Sequence, residues 1–427
     1  MKIKLSLCGD VLISRRLPEG FISGGGIFST LHENEFRFAN LETTIHRREG
    51  YPAAFPGGGY AMADPLCVQD LIRLGFNIFS TANNHAMDYS CNGLIATNKY
   101  LTEYGVPYAG TGINLSDASK PAFFEGNNAS VALVAVTSSF HDSYSAGPQN
   151  QDMMGRPGVA PLRHKAVYEL NHRNLKTLCR IAKESGVNAY HDMGIKSGYL
   201  TPIENVRFGS FFFQEGENGV CHTTPHPDDL QRTVNIVKDA RYSSDLVIVS
   251  IHSHQLLGSD STRSPEFISI FSKECINAGA DIVVCHGPHR LRGIELYNQG
   301  IIFHGLGNFI FQHELVEFLP EELYNRYGLK RQDATGVNEL FRMRSCNGTK
   351  GVKTKPVCYH TIICCLECNE REMITTLVPV EIDVNTGLPS LSENISILED
   401  VVCLSEEFGT PISINKEEIK ATIHVKR

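Results

Sequence analysis

The chain has 427 residues, 42% of them hydrophobic and 20% charged, the balance of an ordinary soluble globular protein. Its formal net charge of −8 gives it no basic footprint and argues against nucleic acid as a partner. No apolar stretch approaches the roughly 20 residues that span a bilayer, so no integral membrane segment is expected.

Met1–Leu7 runs directly into a strand-like segment and lacks the apolar core of a signal peptide. Thirteen cysteines, an odd number, suit free thiols better than a disulfide framework, and a reducing, cytoplasmic location is expected. Asp64–Pro65 followed by Val68, Leu71, Ile72 and Leu74 reads as a helix start with an apolar face, ended by Gly75. Phe76–Thr81 reads as a strand, Gly93–Tyr104 as a helix and Val131–Val136 as a strand. Arg232–Arg241 reads as a helix feeding the strand Leu246–Ile251, and Pro265–Asn277 as a helix feeding the strand Ile282–Cys285. This alternation predicts an α/β fold.

Two stretches depart from it. About residues 141–230 read as an insertion, lid-like, with one helix over Lys165–Glu184 and an aromatic cluster at Phe211–Phe213. Glu314–Lys355 reads as a charged, mobile loop, and His360–Glu367 with Met373–Ile382 as a β-hairpin added to a sheet. The expected organisation is therefore one domain over 1–315, carrying that insertion, and a C-terminal loop and β-rich extension over 316–427 that packs on it.

Polar residues recur just after the apolar runs: Asp10, Asn40 and Glu42, Asn84 and His85, His252 and His254, His286 and His289, and Asn308. Buried strands read as such runs, and open α/β sheets bind ligands beyond the carboxyl ends of their strands. Carboxylates with imidazoles suit Zn, Mn or Fe, and two such ions could clamp both oxygens of a displacement. Each residue also has a plain structural reading: Asp10 as a turn-former, Glu42 as a helix-start charge, the histidines as satisfied core groups. Asn308 reads more readily as a turn-holder than as a substrate contact. Arg15 and Arg16 could fork onto an anionic oxygen or form a solvated pair, and Asp88 could orient His85 or begin a helix. The runs Gly24–Gly26 and Gly57–Gly59 read as flexible loops beside the site. Cys365 and Cys368 have zinc-knuckle spacing, but their strand context favours buried thiols.

The ordered set Gly9–Asp10–Val11–Leu12 with Arg16, Asn40–Leu41–Glu42, Asn83–Asn84–His85–Ala86–Met87–Asp88–Tyr89, His252, His286–Gly287–Pro288–His289 and Leu306–Gly307–Asn308–Phe309 resembles the CapA (poly-γ-glutamate synthesis) family. The likeness covers about residues 1–140 and 240–315. That family is similar in fold to the calcineurin-like metallophosphoesterases, which implies a two-sheet α/β sandwich with a metal site at the strand ends. By resemblance Asp10, Glu42, Asn84, His252, His286 and His289 stand at metal-ligand positions, for one or two divalent ions (Mn, Fe or Zn). His85 would be the general acid or base, with Asp88 and Arg16 in support, and Asn40, His254 and Asn308 would face substrate. The substrate implied is a small anionic amide of γ-glutamyl type or a phosphoester, cleaved by a hydrolase or passed on by an acyl transferase. A non-catalytic binding protein, or an accessory subunit of polymer synthesis, is the alternative. Two departures matter: Leu12 stands where the metallophosphoesterases carry a histidine, and His252–Ser253–His254 replaces the usual His-Trp-Gly. His254 is open to three readings, as an extra ligand, a substrate contact or neither. Many membrane-attached members have an N-terminal anchor that is not seen here, which counts against a membrane polymerase.

Overall fold

The computed structural model describes residues 2–330 and 336–427. Every residue of Leu246–His252 and of Ile282–His286 is buried, as strands covered on both faces must be. Their side chains alternate between two cores. Leu246, Ile248, Ile282 and Val284 point inward against Leu5, Leu7, Phe36 and Phe38 of a second sheet. Val247, Val249, Ile251 and Val283 point outward onto Val237, Ala240, Phe267 and Phe271 of the helices Pro227–Ser243 and Glu266–Asn277. On the far side, Ala39, Leu41 and Phe79 pack against Val68 and Leu71 of the helix Leu66–Leu74. The architecture is thus a two-sheet α/β sandwich with helices on its outer faces.

One sheet has ten strands. At its centre Ile3–Leu12 pairs in parallel with Phe36–Leu41 and with Asn308–Phe311, and antiparallel with His360–Cys368. The other has six, with Leu246–His252 parallel to both Ser130–Thr137 and Ile282–His286. The C-terminal hairpin His360–Cys368 and Glu372–Ile382 joins the first sheet as expected, extended by Lys420–Lys426. Cys368 faces the inter-sheet core while Cys365 packs on the outer one, and all thirteen cysteines are free. No helix among the described residues is long and apolar enough to cross a membrane.

Three expectations are corrected. Lys165–Glu184 is not one helix: His164–Leu170 is a strand inside a small four-stranded sheet, and the helix begins at His172, capped by the Asn171 side chain accepting from the Asn174 N–H. The insertion docks its strand Cys221–Pro225 on the outer helix Glu266–Asn277, with the Glu266 carboxylate accepting from the Thr223 N–H at 2.9 Å. Gly25–His32 is a helix, not a loop. Glu314–Lys355 is not all loop either, since it carries the helices Glu321–Arg326 and Val337–Arg344 (331–335 lie outside the described residues). Val316, Leu319, Leu323, Leu340 and Phe341 bury themselves there with Tyr60 and Tyr89.

Candidate metal centre

Parallel pairing sets His252 directly beside His286 on one sheet, and Asp10 beside Asn40 and Asn308 on the other. The carboxyl ends of both sheets therefore meet at one place, where this class of fold binds ligands. Asp10 reaches it through a register shift in its strand. Gly9 makes that possible, because a Cβ there would collide with the Gly307 carbonyl, to which the Asp10 N–H donates at 2.9 Å. Gly287, with φ of +103°, turns the chain between His286 and His289 and donates its N–H to Asp10 Oδ2 at 3.1 Å.

Asp10, Glu42 and His252 are fully buried. Asn40 ties the two sheets together: its amide donates to Asp10 Oδ1 at 2.8 Å and lies 3.1 Å from His252 Nδ1. His286 Nδ1 sits 2.9 Å from the same Asp10 oxygen. Glu42 Oε1 is 3.6 Å from His252 Nε2 and 4.0 Å from His254 Nε2, and those two ring nitrogens face each other at 3.2 Å. Two donor groups result, Asp10–Glu42–His252 and Glu42–His254–His289, each with its ligand atoms within 4.8 Å of one another. Glu42 belongs to both.

The donors fit a divalent ion. Both Glu42 oxygens, Asn84 Oδ1 and His286 Nε2 are buried without a hydrogen-bond partner. Leaving such groups unpaired is costly, and a cation held between them would relieve that cost. The nitrogen-and-oxygen set suits Zn, Mn or Fe. Asn84 is steered by its own amide, which donates to the Gly57 carbonyl at 2.6 Å. Asn308 donates to the Cys358 carbonyl and accepts from His289 Nδ1–H at 2.8 Å, which leaves His289 Nε2 as the free lone pair. His289 holds a left-handed backbone, φ +53°, a conformation few residues with a side chain adopt. His85 Nδ1 lies 2.6 Å from Asp88 Oδ2. Asp88 also accepts from the Gly57 and Ala61 N–H groups at 2.8 and 2.7 Å, so one carboxylate fixes both the imidazole and the glycine loop.

The electrostatics follow from burial and crowding. Burial, then the charges of Asp10 and Asp88, push the Glu42 carboxyl well above its usual range. Burial would raise Asp10 as well, but contact with His286 and the neighbouring His252 and His289 hold it below its usual range. Burial depresses His252 and His289, takes His254 down to about 3 with help from His289 and His85, and takes His46, packed on Tyr89, to about 4. A histidine depressed in the folded state stabilises fully above its unfolded pKa of about 6.5 and loses that contribution as pH falls. The raised Glu42 works the other way, but it is outnumbered. Metal-free protein is therefore expected to lose thermal stability between pH 7 and pH 5, read as a falling Tm in buffers of matched ionic strength.

Of the residues singled out in the sequence, Asp10, Asn40, Glu42, His252, His254, His286, His289 and Asn308 come together, with Asn84, His85 and Asp88 alongside. Arg16 does not join them. Its guanidinium is bound to the buried Asp70 carboxylate, Nε–Oδ2 2.5 Å, and lines a separate cleft with Arg15, Arg47 and Arg48. Leu12 forms part of an apolar wall with Ala61 and Phe311. Two positioning residues were missed. Asn83 donates to the Leu41 carbonyl and accepts from the His85 N–H, and Ser139 Oγ accepts from the His254 N–H at 2.7 Å. Asn83 stood inside the recognised motif, whereas Ser139 carried no local signal.

Residues 4–313 match the family described as bacterial capsule synthesis protein PGA_cap. An uncharacterized protein of Sinorhizobium fredii, y4sH, is 31% identical over 95% of this chain and 90% of its own. The capsule biosynthesis protein CapA of Bacillus anthracis is 24% identical over 73% of this chain and 60% of its own. The PGA biosynthesis protein CapA of Bacillus subtilis is 24% identical over 79% and 70%. A Staphylococcus aureus structure assigned as a 5'-nucleotidase shares 11% identity over 72% of this chain and 49% of that one, with a TM-score of 0.33, too distant to argue from. The chain belongs to the bacterial capsule synthesis protein PGA_cap family.

Proposed function

We propose that this protein is a metal-dependent hydrolase, or an acyl transferase built on the same site, acting on an anionic amide of γ-glutamyl type or a phosphoester. The observation that carries this reading is Glu42, a fully buried carboxylate with both oxygens unpartnered and shared by two donor groups. Asp10 and His252 with Glu42 would hold one divalent ion, and His254 and His289 with Glu42 a second. His286 and Asn84 would add ligands, and His254 would supply the donor that Leu12 cannot. Such ions, when bound, supply Lewis acidity and lower the pKa of a water molecule.

The chain's own groups do the rest. Asn40 and Asn308 hold Asp10 and His289 in place. Asp88 holds His85, whose other ring nitrogen is free to exchange a proton with the leaving group. Family membership and the two CapA relatives support the anionic amide over the phosphoester. The test is turnover of γ-glutamyl-p-nitroanilide and of bis-p-nitrophenyl phosphate by protein reloaded with Mn, Fe or Zn and by chelated protein. Release of p-nitroaniline or p-nitrophenol with the metal-loaded form alone is expected. Metal uptake with no turnover of either would favour the non-catalytic reading.

A further inference from the structure

Beside His85 and His289 lies a cavity of about 140 Å³, walled by Leu12, Phe311, Leu319, Leu323, Phe341 and Val352. Its polar side is the two histidines with His313, and Arg344 lies on its lining. The Arg344 side chain is exposed, has no carboxylate partner among the described residues, and leans over the glycine loop, with Nη1 3.7 Å from where a Cβ on Gly59 would stand. Asp88, which fixes His85, also fixes this loop at Gly57. Cavity and candidate site therefore share one anchor.

We infer that the substrate carries an apolar group of about phenyl or leucyl size next to the bond that reacts, with a carboxylate within reach of Arg344. This rests on the metal-centre reading above and narrows its substrate class. A cavity of about 150 Å³ accepts a benzene ring, so the size agrees, and the apolar side of the lining is the face such a ring would meet. A wholly anionic chain would set charge against the carbon wall and lose the pairing of apolar surface with apolar surface that drives association. The guanidinium at the rim matches a carboxylate in charge and fork geometry. The histidine-to-leucine departure at Leu12 fits the same account, since Leu12 is part of the wall rather than of the ligand set.

The probes are 3-phenylpropanoate, glutarate and 3-phenylpropan-1-ol, titrated calorimetrically into the full chain, with metal content measured on the same samples. Expected is a Kd for 3-phenylpropanoate about tenfold or more below that for glutarate. Arg344→Ala, at an exposed position, should bring 3-phenylpropanoate back to the level of the alcohol. Val352→Phe, at a half-buried position, should weaken it about tenfold or more by filling the cavity, with metal content unchanged. A protein that holds metal but takes glutarate as tightly, or whose two variants bind as wild type, overturns this inference and leaves the metal reading standing. A protein that takes up no metal fails the metal reading itself, and this inference falls with it.

Discussion

Glu42→Gln is expected to make the metal-free protein more stable than wild type and the metal-treated protein less stable. In the absence of a cation the wild-type carboxyl has no partner for either oxygen and crowds Asp10 and Asp88. It escapes part of that cost by staying protonated, so the neutral amide, which has no charge to bury or neutralise, should melt at a higher temperature. With metal present the sign reverses. An ion bound at a hundred times its Kd stabilises the folded state by about 2.7 kcal/mol, and the variant forfeits this because the shared ligand has lost its charge. Removing even a supporting partner of a ligand costs about 10–100-fold in metal affinity, so loss of the shared ligand should cost more. Thermal melts of both proteins, with chelator and with excess Mn, Fe or Zn, read both signs at once. A Glu42→Gln variant that melts below wild type in chelator and gains as much from metal would make Glu42 an ordinary structural carboxylate.

His85→Ala is expected to cut metal-dependent turnover by about 10²–10⁴-fold, the range of a positioned general acid or base, while metal content stays at the wild-type level. His85 lines the cavity but belongs to neither donor group. Its removal takes one hydrogen bond from Asp88, which keeps the Gly57 and Ala61 N–H groups, so the stability cost should be about 1 kcal/mol. Kinetics and elemental analysis on the same preparation separate the outcomes. Turnover within a few-fold of wild type would remove His85 from the chemistry, and parallel loss of metal would make it a ligand.

The strand ends were legible because buried strands announce themselves as unbroken apolar runs, and the polar residue that ends each run is then conspicuous. Leu246–His252 and Ile282–His286 lie where the runs predicted, and their neighbouring register puts His252 beside His286. The bond from Asn40 on one sheet to His252 on the other was not legible, since it joins residues 212 apart in the chain. Arg16 misled for the same reason, its partner Asp70 lying 54 residues away and buried. Lys165–Leu170 reads as part of the following helix because it shows no clean apolar alternation, and in the fold no residue of the strand His164–Leu170 is fully buried. The cavity wall of Val316, Leu319, Leu323 and Phe341 reads as loop in the sequence because its core is completed by Tyr60 and Tyr89 from elsewhere in the chain.

The most direct measurement is the metal content per chain of tag-free protein, by elemental mass spectrometry, for wild type and the Asp10→Ala/His289→Ala double variant, which removes one ligand from each donor group. Up to two equivalents of Mn, Fe or Zn are expected in wild type after reloading, and almost none in the variant. Wild type that takes up none of the three ions, or a variant that retains them in full, would contradict the metal-centre reading.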